Sequence, residues 1–184
     1  LYNEFQIIDE NKSQFGNSKI VFEDSKTALV RDFVKGKSLK QLLSEGKFGL
    51  AFFMEYAPKI AEILFEVHLK NIIHKDLSPG NIIIDEQTKK VTLIDYELST
   101  HLRLSEAGNR LSFDLSNNLP YISPEQTGRM NRLIDYRSDY YSLGICFFEM
   151  LTGTTPFSSE DPLEIVYAHL AHTPPSLTKY NVEI

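Results

Sequence analysis

Asp76 and Asn81 stand five residues apart in IIHKDLSPGNIIID, residues 72–85, and Asp95 follows fourteen residues later, directly behind the apolar run VTLI. Each of the three carries side-chain oxygen. At the ends of short buried strands such side chains can converge on one point, and hard divalent cations such as Mg2+ take oxygen ligands of this kind. The chemistry that would use the set is phosphoryl transfer. There the metal neutralises charge on the phosphates and a carboxylate stands near the incoming hydroxyl. A plainer role also exists, since Asx residues favour turns and caps. The isoleucines on both sides favour burial in strands or against helices. The polar insert HKDLSPGN is therefore expected on a stiff, buried frame, and loops held that way often carry function.

The elements that would build this frame are readable in outline. LYNEFQIID, residues 1–9, reads as the end of a helix, with Leu1, Phe5 and Ile8 on one face. KIVFEDS (19–25) and TALVRDFV (27–34) read as two strands joined by a tight turn. SLKQLLSEG (38–46) reads as a short helix capped by Ser38 and stopped by Gly46. A longer helix is expected over Phe52–Lys70, with Phe53, Tyr56, Ile60, Ile63, Leu64 and Val67 at helical spacing. Pro58 should kink it or mark its true first turn. NIIID and KVTLID flank the polar DEQTKK and read as a hairpin. Residues 96–120 lack periodicity and read as a long loop. A helix over 139–152 would place Tyr140, Leu143, Phe147, Met150 and Leu151 on one face, closed by Gly153. Asp161-Pro162-Leu163-Glu164 opens a last helix that runs to about His172. This order is not an alternating strand–helix pattern; it predicts an α+β protein whose larger part is helical.

Composition narrows the function class. The 184 residues carry a formal charge of −6, which argues against nucleic acid as the main partner. The single cysteine, Cys146, excludes an internal disulfide and fits a reducing compartment such as the cytoplasm. It sits in the apolar segment SLGICFFEML and reads as a packed core thiol. No apolar run approaches the ~18 residues of a membrane span. The chain begins with Leu1 rather than methionine, so it reads as a piece of a longer protein.

With these residues in view, the sequence resembles the eukaryotic-type protein kinases. HKDLSPGN is similar to their HRDLKxxN catalytic loop, IDYE to the DFG motif, and YISPE to the APE motif. SDYYSLGICFFEMLTGTTPF is similar to the helix that anchors the loop. The wording LPYISPEQTGRMNRLIDYRSD with VYAHLAHTPP is most similar to the kinase-like domain at the front of multidomain sensor histidine kinases. The resemblance implies a kinase-like fold: residues 1–34 the remnant of the small lobe with part of its sheet, residues 35–184 the mainly helical large lobe. It implies ATP and Mg2+ as cofactors, with a protein substrate or other domains of a signalling protein as partners.

The implied roles follow position by position. Asp76 matches the base for the substrate hydroxyl; Asn81 and Asp95 match the Mg2+ ligands. Asp32, Phe33 and Val34 match the hinge that meets adenine, and Ile83 a residue packing under its ring. His74 and Tyr96 match members of the column linking the lobes, and Asp139 the aspartate that bonds the catalytic-loop backbone. Glu125 matches a glutamate that pairs with a distant arginine, and Glu4 one that pairs with the nucleotide lysine.

The departures are specific. The 184 residues include no glycine-rich phosphate loop, no strand lysine and none of the last large-lobe helices, so this piece alone should bind ATP poorly. Lys75 replaces the usual arginine and lacks its bidentate fork. Ser78, in the catalytic loop, stands where a lysine steadies the γ-phosphate, and Asn118 where a threonine bonds that lysine and the aspartate. Glu97 replaces the glycine of DFG, where glutamate resists unusual backbone conformations and adds charge beside Asp95. Arg31 guards the back of the adenine pocket and needs a partner, Asp32 or Glu4. His169 and His172 read as a solvated helix face, and Arg129, Arg132 and Arg137 as ion-pairing or substrate-docking groups. Ser105, Ser112 and Ser116 read as an ordinary polar loop; a phosphate there could pair with Lys75 or Arg110. Three functions compete: a serine/threonine kinase domain, a pseudokinase-type binding module, and a small-molecule phosphotransferase. The last is disfavoured by SPE and by SDYYSLGICFFEML, because the enzymes of that class lack this activation segment.

Overall fold

In the computed structural model, residues 19–23, 26–30, 33–101 and 118–180 are described. The expected helix end over residues 1–9, with Glu4, lies outside them. So do Arg31, Asp32, Ser105, Arg110, Ser112 and Ser116. The chain divides into two compact units, Leu1–Lys35 and Gly36–Ile184.

In the first unit β1 (Lys19–Glu23) and β2 (Lys26–Val30) pair antiparallel, with Ile20 opposite Leu29 and Glu23 opposite Lys26. The expected hairpin is present. Phe33, at the end of this unit, is exposed.

The second unit opens with a strand that the sequence did not suggest. β3 (Lys37–Ser38) pairs antiparallel with β5 (Ile82–Asp85), which pairs with β6 (Lys90–Leu93). Two residues are too few for a period-2 signal. Gly36 makes the pairing possible: its φ is +139°, and a Cβ there would lie 2.5 Å from the Ile84 carbonyl oxygen. α1 (Leu39–Ser44) is capped by Ser38, whose Oγ accepts from the Gln41 N–H.

α2 (Leu50–Leu69) runs through Pro58, which is therefore not its first turn. Its buried side is Tyr56, Ala57, Ile60, Leu64 and Val67, close to the expected face. Lys89, in the β5–β6 turn, donates to the Tyr56 hydroxyl and meets Glu55, which ties the hairpin to the helix. β4 (Ile72–Ile73) pairs with β7 (Thr100–His101), so the segment expected as loop from residue 96 begins with a short strand.

α3 (Tyr136–Thr152) begins three residues before the expected start, because Asp135 caps it by accepting from the Arg137 N–H. Gly153, left-handed at φ +78°, ends it as expected. Its buried side differs from the apolar face expected. Ser138, Asp139, Ser142, Leu143, Ile145, Cys146, Phe148 and Met150 are buried, whereas Tyr140 is exposed and packs on His68. A helix that buries polar groups with dedicated partners defeats a face drawn from hydropathy alone. Cys146 is fully buried, and burial raises its thiol well above the ordinary value, as suits a core residue.

α4 (Pro162–Ala171) starts at the expected cap, Asp161 accepting from the Leu163 N–H. His169 is a correction: it is buried, with Nδ1 against the Tyr141 hydroxyl at 2.8 Å, and only His172 is exposed. Among the described residues no helix is long and apolar enough to cross a membrane.

Two of the contacts that hold α3 to the rest run through its carboxylates. Asp139, 1% exposed, accepts the backbone N–H groups of His74 and Lys75, each at 2.8 Å, and the His68 Nε2–H at 2.8 Å. Asp139→Asn leaves a carboxamide NH2 facing donors. It should lower the unfolding free energy by about 2–3 kcal/mol in urea titrations; a loss under ~0.5 kcal/mol would contradict this role.

The second contact is Tyr121, whose hydroxyl donates to Glu149 at 2.6 Å. Burial raises the Glu149 carboxyl above its ordinary value of 4.5, against the opposing pull of Tyr121 and Lys40. A raised carboxyl favours folding fully below its unfolded value, and that contribution is lost as pH rises through the folded value. Glu149→Gln keeps an acceptor for Tyr121 and removes the charge. Its urea midpoint should exceed the parent's at pH 8 and converge on it near the ordinary value of 4.5. A constant offset at all pH values would contradict the assignment.

Candidate active site

The HKDLSPGN segment is assembled by backbone polar groups that have fixed partners. Ile72, Ile73, Ile82 and Ile84 are at most 1% exposed and clamp it from both sides. Between them, His74 and Lys75 hang from the Asp139 carboxylate. Lys75 is buried and has φ +67°, a left-handed value uncommon for a side chain of this size. Burial lowers its ammonium below the ordinary value, with Asp139 pulling the other way.

His74 is fully buried, and its tautomer follows from its partners. Nε2 faces the Ile94 carbonyl at 3.1 Å and must carry the hydrogen; Nδ1 accepts the Asp76 N–H at 3.3 Å. Burial lowers its pKa below 6.5, so the ring is neutral near pH 7. Protonation would set a second N–H against the Asp76 N–H. Its ring lies 4.7 Å from that of Tyr96.

Asp76 is gripped at both carboxylate oxygens. Asn81 Nδ2 donates to its Oδ2 at 2.9 Å and to its carbonyl at 2.7 Å; Asn118 Nδ2 donates to its Oδ1 at 2.6 Å. The carbonyl only accepts, so the Asn81 amide has one possible orientation, and its Oδ1 points away from Asp76. Asn81 itself ends the one-turn helix Pro79–Asn81, and its carbonyl accepts the Ile94 N–H at 2.9 Å. That bond carries the β5–β6 ladder one step past Leu93 and delivers Asp95 to the same end of the hairpin.

Asp95 has φ +64°. Its carboxylate is half-buried and has no donor among the described residues. Asp76 and Asp95 both lie near enough to His74 to favour its charged form. Asp76, Asn81 and Asp95 are thus brought together, with the third tied in through backbone. Among the described residues no set of three or more His, Cys, Asp or Glu side chains forms a metal cage. One carboxylate and one amide oxygen suit a cation that takes its other ligands from phosphates and water.

The departures find different places. Glu97 is exposed, and the left-handed residue of IDYE is Asp95, not Glu97. The backbone at residue 97 therefore makes no demand that glutamate resists. Ser78 is buried. Glu125 accepts from the Ser138 hydroxyl on α3. Ile83 is half-buried, on the face of β5 opposite Ile82 and Ile84.

Two residues were missed. His68, at the end of α2, completes the shell of Asp139, and nothing in a helical histidine signals that. Gln126 accepts the Ser123 N–H and hydroxyl at its Oε1 and donates from Nε2 to the Lys75 carbonyl at 2.6 Å. Its signal was present: Ser123-x-x-Gln126 is a capping box.

Comparison with known proteins gives the family. The family model described as protein kinase domain matches residues 3–181. A probable serine/threonine-protein kinase of Clostridium acetobutylicum is 32% identical over 164 residues, covering 85% of this chain and 23% of that protein. The probable serine/threonine-protein kinase PknB of Bifidobacterium longum is 34% identical over 151 residues, 80% of this chain and 21% of its own length. The serine/threonine-protein kinase PrkC of Bacillus subtilis is 29% identical over 163 residues, 88% and 24% respectively. The chain thus spans about a quarter of the length of these relatives. A family match over residues 3–181 leads to one conclusion: this chain belongs to the protein kinase domain family.

Proposed function

We propose that the chain is the catalytic part of an ATP- and Mg2+-dependent protein serine/threonine kinase within a larger signalling protein. The observation that carries the reading is the orientation of Asp76 and Asn81. One carboxylate is held by two amide donors beside an amide oxygen turned the other way. In this reading Asp76 accepts the proton of a serine or threonine hydroxyl as its oxygen bonds to the γ-phosphorus of ATP and the bond to the leaving ADP oxygen breaks. Asn81 Oδ1 and the Asp95 carboxylate would hold Mg2+, which would neutralise charge on the phosphates. His74 and Asp139 keep the loop in shape, and Tyr96 packs against His74. Ile83, on the half-buried face of β5, offers adenine an apolar surface. The acidic balance and the names of the relatives favour a protein acceptor over nucleic acid.

A second reading, a binding module without transfer, is favoured by Ser78. It is a buried hydroxyl where a cation would steady the γ-phosphate. Phosphate transfer by the full-length protein decides between them. With Mg2+ and ATP, phosphate should appear on serine or threonine of a protein acceptor. Asp76→Asn should lower kcat by about 100-fold or more with nucleotide binding kept, and Asp95→Asn should abolish Mg2+-dependent nucleotide binding. Nucleotide binding without turnover in the parent would establish the binding module instead. Full turnover in both variants would overturn either reading.

A further inference from the structure

Lys75 is the residue through which the loop turns into Asp76, and its left-handed backbone is sparsely populated for a lysine. Such a conformation persists only where its surroundings fix it. Its N–H is fixed by Asp139. Its C=O is fixed from elsewhere, by Gln126 Nε2 at 2.6 Å. That carbonyl and the Asp76 N–H belong to one planar peptide, and the N–H is bonded to His74 Nδ1. Gln126 thus sets the peptide plane from which the Asp76 side chain departs.

Gln126 is itself immobilised. Its Oε1 accepts twice from Ser123, which is fully buried. The segment around it is fastened to α3 by the Ser142 hydroxyl on the Tyr121 carbonyl at 2.7 Å, by Tyr121 on Glu149, and by Ser138 on Glu125. The same segment supplies Asn118 to the Asp76 carboxylate. Two uncharged carboxamides from one segment therefore meet Asp76, one at the peptide before it and one at its carboxylate.

We infer that Gln126 is a positioning residue for the reaction, holding the Lys75–Asp76 peptide so that the Asp76 carboxylate meets the acceptor hydroxyl. The inference rests on Asp76 standing at the reacting hydroxyl, and its test is separable from that reading. Gln126→Glu is the informative variant. Glutamate is the other natural residue of a capping box, so the bonds to Ser123 remain. Only the donor to the Lys75 carbonyl is lost, and an acceptor faces an acceptor.

In the full-length protein, Gln126→Glu should lower kcat about tenfold, with the KM for ATP within about twofold. Amide hydrogen exchange at residues 75–77 should quicken about tenfold while that of α3 is unchanged. Native kcat, or native exchange at residues 75–77, would overturn the inference. If the parent transfers no phosphate, the exchange measurement decides alone. Should the variant fail to fold, the side-chain amide protons of Gln126 in the parent decide. Protection at least about tenfold above that of exposed Gln41 upholds the bond, and equal exchange refutes it.

Discussion

The Asp139 carboxylate accepting two consecutive backbone N–H groups is the constraint on which the site depends. A buried carboxylate is tolerable only when hydrogen bonds replace its water, and here His68 adds a third donor. In return the peptides at His74 and Lys75 lose their freedom. The loop enters Asp76 in one direction, although nothing in its own composition requires that direction. Charge-assisted bonds of this kind are stronger than neutral ones, which suits a contact that must hold a left-handed lysine in place.

Everything downstream of that contact is a chain of single-orientation bonds. His74 is neutral and has one tautomer available, because Ile94 can only accept and the Asp76 N–H can only donate. Asn81 has one amide orientation for the same reason. The β5–β6 hairpin then brings Asp95 alongside through the Ile94 N–H. Apolar burial of the isoleucines supplies the frame, and directional bonds select the geometry within it. Left-handed backbone occurs at Lys75 and Asp95, beside the carboxylates whose placement matters, as well as at Asn71 and Lys89 in turns.

Much of this was legible. The hairpins, the capped helices and the Ile clamp follow from periodicity and turn chemistry, and Asp76, Asn81 and Asp95 were marked by residue type and spacing. What escaped notice had physical reasons. β3 is two residues long and owes its pairing to the close approach at Gly36. α3 buries Ser138, Asp139 and Ser142, so its inner face does not read as apolar. His169 is buried because Tyr141 takes one ring nitrogen and Phe157 packs on the ring, long-range partners that no local window contains. Glu97 looked incompatible with its motif only on the assumption that the left-handed residue lies at its position; it lies at Asp95. Gln126 was readable as half of a capping box, but its free NH2 finds Lys75 only in three dimensions.

In the proposed function Asn81 and Asp95 face a nucleotide-bound metal while Asp76 stands beside them. Paramagnetic broadening by Mn2+ with a non-hydrolysable ATP analogue, read on the full-length protein, tests it most directly. Signals from the Asn81 side-chain amide and from the Asp95 backbone should vanish first, those of Asp76 next, and those of α4 not at all. Broadening centred on any other part of the molecule, with the Asn81 and Asp95 signals intact, would contradict it.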